Sequence, residues 1–503
     1  MLAGAFEEEK AMTTDNVARD VDGGSPGVDS GNGKSRLSGN MGVGELAISV
    51  LAFSAPLATV AGFIPVLLTF SGRTSPSIYI GVAILLILFS VGFTTMGRRI
   101  PNPGGFYSFV TAGLGRPIGL GGAFLAIYGY TAIGFFAPPL FAVTIQSYVT
   151  DRLGGPKIPW YWYALALVIV TTALAYRRID LSAKVLTVVM ALEVVIVTVF
   201  DIAAFVHGAP AGGGGADIAL PSLTDNSLGL AVLFVVGNFL GFEATVIFRE
   251  EVRNPQKTVP LATYIAVGSI GIFYAIAAWA FVTFFGADKA KQAATDNTAG
   301  LFTTAIARLT GSIVVDVVTV LLMTSILASV LSIHNVSARY LYSLGTDGVL
   351  PAALGKVHPR HGSPAFSAAL IGAIWAVAIA LFSILRVSPD KLYPIASGTG
   401  TFAVLVLLFA ASIAVFVYLY RNRATGSDSV WRTVVAPVLA AIGLGGVVYL
   451  AMANFSDLIG GTGIIATLFL VFTFALPVAG IALAYYLKAK KPEVYQRIGR
   501  QQL

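Results

Sequence analysis

The sequence predicts an all-α polytopic membrane protein with twelve transmembrane helices. Of its 503 residues, 56% are hydrophobic and only 11% are charged. Apolar stretches of about twenty residues recur from Leu46 to Leu487, and each is long enough to cross a hydrocarbon core of roughly 30 Å. These runs are uninterrupted, which excludes a membrane β-barrel, because barrel strands alternate apolar and polar residues.

The distribution of positive charge predicts the orientation in the membrane. About three quarters of the 32 Lys and Arg residues lie in or beside the segments that are inside the cell when the N-terminus is inside. Because cytoplasmic loops carry such an excess, both termini are predicted to be cytoplasmic, in a multi-pass protein of the plasma (inner) membrane. The net charge of +7 then reflects orientation rather than nucleic-acid binding. The approximate spans are 45–71, 77–96, 118–148, 159–176, 183–206, 228–248, 260–286, 312–334, 364–386, 393–420, 432–453 and 461–487.

Two of the spans are interrupted near the middle of the membrane. Span 1 contains Pro56, the stretch Thr59-Val60-Ala61-Gly62 and Pro65, and span 6 contains Gly237-Asn238 and Gly241. In hydrocarbon an unsatisfied backbone group costs several kcal/mol, so irregular backbone is retained only where it is buried in protein or lines a cavity. Two broken helices five spans apart therefore predict a 5+5 inverted repeat, with a binding site where the repeats meet.

The repeat divides the chain into five segments. The N-terminal segment is rich in Gly, Ser and Asp and has no apolar core of a signal peptide, so it is predicted to stay disordered. A further interruption, Ser397-Gly398-Thr399-Gly400, is expected at the start of span 10. The segments are a cytoplasmic tail at 1–42, the first repeat (spans 1–5) at 43–207, the second repeat (spans 6–10) at 228–420, two extra C-terminal helices at 431–487 and a cytoplasmic tail at 488–503.

Three stretches carry a resemblance to the amino acid–polyamine–organocation transporter superfamily, which has the leucine-transporter fold. They occur in the order expected for that superfamily, and together with the span count the resemblance covers about residues 43 to 420. In chain order, the stretches are Arg99-Ile100-Pro101-Asn102-Pro103-Gly104-Gly105-Phe106-Tyr107, then Gly241-Phe242-Glu243 with Glu250-Glu251-Val252-Arg253-Asn254-Pro255 and Pro260, and last Ser337-Ala338-Arg339 with Gly345-Thr346-Asp347-Gly348-Val349-Leu350-Pro351.

The resemblance implies alternating access, in which a bundle of spans 1, 2, 6 and 7 moves against a scaffold. The superfamily's Gly-Ser-Gly of span 1 is matched here with Val60-Ala61-Gly62, where free N–H groups would start a second half-helix and hold a substrate carboxylate. The carbonyl ends of the first half-helices would receive an ammonium group. Phe239 and Phe242 are the residues near enough to gate the site. The expected substrate-binding residues are Thr59, Val60, Ala61, Gly62, Asn238, Phe239, Gly241, Phe242 and Glu243.

Glu193 and Glu243 are the candidate acids at membrane depth. A charge there costs about 2.5–3.5 kcal/mol even on the lenient insertion scale. By resemblance, Glu193 of span 5 occupies the position of a lysine in some proton-coupled relatives, whose ammonium replaces a sodium ion. Glu193 reverses that charge, so it either takes up the coupling proton or ligates sodium, or it is a structural acid. Glu243 follows the span 6 break and could sense a substrate amine or a proton, or link span 6 to the cytoplasmic loop.

Span 8 offers adjacent hydroxyl groups at Thr324 and Ser325. They resemble the sodium-binding pair of sodium-coupled relatives, and oxygen ligands suit a hard cation. Hydroxyl residues also hold membrane helices together by hydrogen bonds, so the pair has a structural alternative. Tyr128 and Tyr130 of span 3 could face the substrate, but packing is the commoner role of such rings.

These observations favour a secondary transporter of amino acids or amino-acid-derived amines, coupled to protons by symport. The alternatives are an amino acid/amine exchanger, a sodium symporter and, remotely, an ion channel. An enzyme is not expected, because the spans carry no metal-ligand spacing or nucleophile elbow and the chain no nucleotide-binding loop. No cofactor, metal or nucleic acid is predicted as a partner. A lipid bilayer is predicted as a partner, and a homodimer through spans 11 and 12 is left open as a possibility.

Overall fold

The computed structural model describes residues 42–100, 105–177, 183–208, 218–222, 225, 227–247, 252–423, 428–458 and 463–499. Nearly all of these residues are helical. Several predictions fall outside the described residues: the disordered tail except for its last residue, the middle of the first cytoplasmic loop at 101–104, and Glu250-Glu251 of the span 6–7 stretch.

In the first half of the chain, the described residues form nine α-helices. A π-helical turn, Thr59–Phe63, joins α2 directly to α3. The helices are α1 Val43–Phe53, α2 Pro56–Ala58, α3 Ile64–Ser71, α4 Ser75–Arg99, α5 Phe106–Leu114, α6 Arg116–Gly134, α7 Ala137–Ser147, α8 Trp160–Arg177 and α9 Ala183–His207.

Twelve more helices lie within the described part of the second half. Two of them, α13 and α14, lie between the long helices α12 and α15. The helices are α10 Leu228–Asn238, α11 Ala244–Ile247, α12 Pro255–Phe285, α13 Ala290–Asp296, α14 Leu301–Thr310, α15 Ser312–Thr346, α16 Ala365–Ile384, α17 Pro389–Arg421, α18 Ala436–Ala453, α19 Phe455–Leu458, α20 Gly463–Lys490 and α21 Pro492–Arg497.

Within the described ranges, nine helical runs are long and apolar enough to cross a membrane. One run, Pro56–Arg99, combines the second half of predicted span 1 with span 2, and the apolar α10 is a separate shorter helix. Helix α8, the predicted span 4, is not among the nine. The runs agree with a multi-pass membrane protein, whereas the count of twelve spans stays a prediction.

Glycines bring α6 into backbone contact with two other helices. A Cβ atom on Gly400 of α17 would lie 2.4 Å from the backbone nitrogen of Ile133 and 2.7 Å from the carbonyl oxygen of Gly129, both in α6. A Cβ atom on Gly480 of α20 would lie 2.7 Å from the Cα atom of Gly121. Small residues let membrane helices approach in this way. Helix α17 is continuous from Pro389 to Arg421, so the prediction of an interruption at 397–400 is wrong. Gly400 instead allows the close packing of α17 against α6.

Both predicted helix breaks exist, but the first lies earlier than expected. Helix α1 ends before Ser54 and Ala55, and α2 begins at Pro56, while Val60, Ala61 and Gly62 lie in the continuous π-helical turn. Proline has no N–H group to donate and fits the first position of a helix, so Pro56 starts the second half. Gly62 instead makes room for Leu140, whose Cδ2 atom lies 2.9 Å from where a Cβ atom would be.

Candidate functional site

The two helix breaks face one small cavity of about 50 Å³. In this measure ~10–15 Å³ holds one water molecule, so the cavity has room for a few. None of the described residues that line it carries a charge. The polar lining residues are Ser54, Thr59, Tyr130, Asn238, Ser329, Ser397 and Thr401, and the larger apolar ones are Phe63, Ile133, Phe136, Leu240 and Ile333.

Glu193 of α9 binds the start of the second half-helix, α2. Its side chain is 3% exposed, and its Oε2 atom accepts hydrogen bonds from the Leu57 N–H at 3.1 Å and from the Ser325 hydroxyl at 3.0 Å. The Ala58 N–H donates to the Ser325 oxygen at 3.3 Å. The first N–H groups of a helix have no partner within the helix and favour a negative charge. The residues predicted for ion coupling, Glu193 and Ser325, therefore meet at the first break.

Thr324 does not join them. Its side chain is exposed, and its hydroxyl donates to the Leu321 carbonyl of the same helix at 2.8 Å. Neighbouring residues of a helix do not share a face, so α15 can direct only one member of the predicted pair at the break. The expectation of a two-hydroxyl site is thus corrected to Ser325 alone.

Glu243 closes the second break and bonds to α6. Gly241 has a φ of 108°, a conformation that glycine adopts without a steric cost, and its N–H donates to the Glu243 Oε2 atom at 2.9 Å. The Tyr130 hydroxyl donates to the Oε1 atom at 2.5 Å. Tyr130 lines the cavity and Glu243 does not, so Glu243 is linked to the cavity through the Tyr130 hydroxyl.

A chain of polar side chains connects the two breaks through α4 and α12. The Asn238 amide donates to the Tyr79 hydroxyl at 2.6 Å, and the Tyr79 ring packs against that of Tyr274 with 5.8 Å between centroids. The Tyr274 hydroxyl donates to the Ser54 carbonyl at 3.2 Å. The four helical segments expected to form the moving bundle are therefore joined to one another at the depth of the cavity.

Only two of the nine predicted substrate-binding residues, Thr59 and Asn238, line the cavity. The Phe242 ring meets Phe89 and Phe93 of α4 edge-on, with centroids 6.0 and 6.2 Å away. The Phe239 ring lies near α12, since a Cβ atom on Gly271 would be 3.5 Å from it. The two rings expected to gate the site therefore do not line the cavity, and both are buried among helices of the bundle. Val60, Ala61, Gly62, Gly241 and Glu243 are likewise buried outside the lining.

Several residues at the site were missed by sequence reasoning. Tyr130 was assigned to packing, and no sequence signal shows which face of α6 meets the cavity. Ser54 could have been found from the Pro56 that ends the break. A further buried acid, Asp201, lies about two turns beyond Glu193 on α9 and outside the cavity lining; it is 6% exposed, and its Oδ1 atom has no hydrogen-bond partner in the part of the chain that the structure describes.

Replacing Tyr130 with phenylalanine is expected to destabilise the protein. The variant leaves the buried Glu243 Oε1 atom without the hydroxyl that it accepts from, at a cost of about 1–3 kcal/mol. Thermal unfolding of the purified protein in detergent measures the loss. Tyr485→Phe is the matched control, because Tyr485 is 59% exposed on α20. Equal unfolding midpoints for the two variants would show that the Tyr130–Glu243 bond contributes nothing.

Comparisons of sequence and of fold both find similarity to membrane transport proteins. Residues 43–487 match the family model described as amino acid permease. The low-affinity putrescine importer of Escherichia coli is 25% identical over 320 residues, which are 60% of this chain and 66% of the importer, slightly less than two thirds of its length. A branched-chain amino acid permease of Lactococcus lactis is 22% identical over 428 residues, 80% of this chain and 85% of that protein. In fold, the chain is similar to a manganese transporter of Eremococcus coleocola, with a TM-score of 0.54 and 13% identity over 92% of this chain and 99% of that one.

Proposed function

The chain belongs to the amino acid permease family, and on that premise we propose that it is a secondary transporter that moves amino acids across the plasma membrane by alternating access. The observation that carries the proposal is the pair of helix breaks facing one cavity. Irregular backbone at membrane depth is typical of the substrate sites of such transporters. We further propose twelve spans, with inverted repeats at 43–207 and 228–420 and both termini in the cytoplasm.

The cavity favours an amino acid with a neutral, apolar side chain. Its lining offers hydroxyl and amide groups for the backbone groups of a substrate, and Phe63, Phe136 and Leu240 for its side chain. The two nearby acids lie behind this lining, Glu193 at the start of α2 and Glu243 behind Tyr130. A diamine would need a negative charge at the cavity wall. An amine such as the putrescine carried by one relative is therefore the second candidate.

Proton symport is the coupling that Glu193 supports best. Its hydrogen-bond partners are N–H and O–H groups, and among the described residues no cation pairs with it. A buried carboxylate without a cation is costly, and taking up a proton removes that cost. A proton on Glu193 would also weaken the charge-assisted bond from the Leu57 N–H, which holds α2 to α9. Proton binding would thereby release the bundle from the scaffold. Coupling to a sodium ion bound between Glu193 and Ser325 is the second possible mode, and obligatory exchange is the third.

Uptake into proteoliposomes tests the function. Wild-type protein is given radiolabelled leucine, valine, lysine and putrescine under an inward proton gradient, an inward sodium gradient or no gradient. We expect the apolar amino acids to accumulate with the proton gradient alone. Accumulation driven only by sodium would replace the proton proposal, and uptake that requires internal substrate would identify an exchanger. No uptake of any amino acid or amine under all three conditions would contradict the proposed function.

A further inference from the structure

A second cavity lies on the membrane-facing side of the protein, between α8 and α16. It is a groove of about 520 Å³. Small and aliphatic side chains form most of its walls, and several of them are exposed; Ile169, for example, is 67% exposed. Tyr176 and Arg177 form one end. The residues that define its shape are Ile169, Ala173, Ala373, Ala376, Tyr176 and Arg177.

The length of the groove matches one leaflet of a bilayer. Its lining on α8 runs from Val168 to Arg177, which is ~13 Å along a helix that rises 1.5 Å per residue. Half of a hydrocarbon core of roughly 30 Å has about the same depth. With the orientation proposed above, the Arg177 end lies at the cytoplasmic surface and the other end near the middle of the membrane. An extended acyl chain fits such a groove.

A basic loop lies at the cytoplasmic end of the groove. The Ser363 hydroxyl donates to the Tyr176 carbonyl at 2.5 Å, and the Tyr176 ring meets His358 with 5.3 Å between centroids. These contacts hold the loop at 356–363 against the end of α8, beside Arg177. The loop adds Lys356 and Arg360, which are exposed like Arg177. Within the described ranges, none of these three cations forms an ion pair.

We propose that the groove binds an anionic phospholipid of the cytoplasmic leaflet. One acyl chain lies between α8 and α16, and the phosphate binds Arg177 together with the loop at 356–363. Negatively charged lipids attract Lys and Arg groups at the cytoplasmic surface, and basic pockets between membrane helices bind their headgroups. The apolar walls select a lipid over a free phosphate ion. The proposal uses the orientation given above but is independent of the transported substrate and of the coupling ion.

Native mass spectrometry of the full chain tests the site. Wild-type protein in detergent is incubated with phosphatidylglycerol or phosphatidylcholine of the same acyl chains, and bound lipid is counted. We expect wild type to retain phosphatidylglycerol at least tenfold better than phosphatidylcholine. Arg177→Gln with Arg360→Gln removes headgroup contacts, and Ala373→Trp fills the groove; each is expected to abolish this preference. Lys490→Gln with Lys491→Gln is the matched control, because it removes two cytoplasmic charges away from the groove.

Each other outcome overturns the proposal. Equal retention of the two lipids would show that the groove has no headgroup preference, and equal losses in the control would assign binding to net charge. Inorganic phosphate that competes as well as the lipid would show that the apolar walls contribute nothing. Cross-linking between two copies through Ala373→Cys, in the absence of lipid, would identify a second copy as the occupant. Unfolding midpoints in phosphatidylcholine confirm that each variant is folded, and the two groove variants test the site independently.

Discussion

Glu193→Gln is expected to abolish proton-driven accumulation while leaving exchange of internal for external substrate intact. Glutamine keeps the size of the side chain, and its carbonyl oxygen still accepts hydrogen bonds from the Leu57 N–H and the Ser325 hydroxyl. It cannot bind or release a proton at physiological pH. Under the proposed mechanism, the variant therefore resembles the protonated state of the wild type, in which the bundle is released from the scaffold. Because the variant stays in that state, its transport cycle would not require a proton.

The size of the effect follows from the gradient applied. One pH unit corresponds to about 1.4 kcal/mol, so a transporter that couples one proton to one substrate accumulates it about tenfold across one unit. For Glu193→Gln the ratio of internal to external substrate should fall to about one. Glu493→Gln, an exposed acid of α21, should leave the ratio unchanged. Full accumulation by the Glu193 variant would mean that another group carries the proton, and Asp201→Asn would be compared next.

Gly400→Val is expected to cause the largest loss of stability. The new Cβ atom would lie 2.4 Å from the backbone nitrogen of Ile133, and backbone cannot move aside as a flexible side chain can. Helices α6 and α17 would have to separate. Overpacked cores lose about 1–3 kcal/mol and occasionally more, and contact with backbone places this variant at the upper end. The drop in unfolding midpoint, and the fraction of protein that elutes as a single species, measure the effect.

The control for this variant is another glycine of a long helix. Gly446 of α18 has no atom within 4 Å of the position that a Cβ atom would occupy. Gly446→Val makes the same chemical change without a collision, so its unfolding midpoint should stay close to that of the wild type. A similar fall for both variants would attribute the loss to valine in a helix rather than to the contact between α6 and α17.

The sequence predicted the class of fold and the two broken helices because proline, glycine and a membrane-depth acid are local signals. It predicted the position of the first break incorrectly, since the missing N–H of Pro56 decided it and Gly62 serves the packing of Leu140. The sequence also did not predict the directions in which the rings of Phe239 and Phe242 point. Both residues follow α10, and which way their rings point depends on α4 and α12, with which they pack.

The contact between Glu193 and Ser325 was predicted from the sequence only in part. Each residue could be identified by its type and depth, and the resemblance to known transporters suggested ion coupling for both. Thr324 has the same chemistry as Ser325 and is its neighbour in sequence, yet it lies on the exposed face of α15. The choice between adjacent residues depends on the rotation of a helix about its axis, and in an apolar span with few polar residues the pattern does not determine that rotation.

The conformation of Ala55 limits which sequences this fold accepts. Its φ of 44° and ψ of 74° are left-handed, which costs an L-residue roughly 1–2 kcal/mol, and a side chain branched at Cβ would cost more. Glycine would remove the steric cost but would give the unfolded chain more freedom. Contacts on either side, from Tyr274 to Ser54 and from Leu57 to Glu193, hold the bend. Valine and isoleucine, which suit a membrane helix as alanine does, are therefore disfavoured at position 55 by the backbone geometry itself.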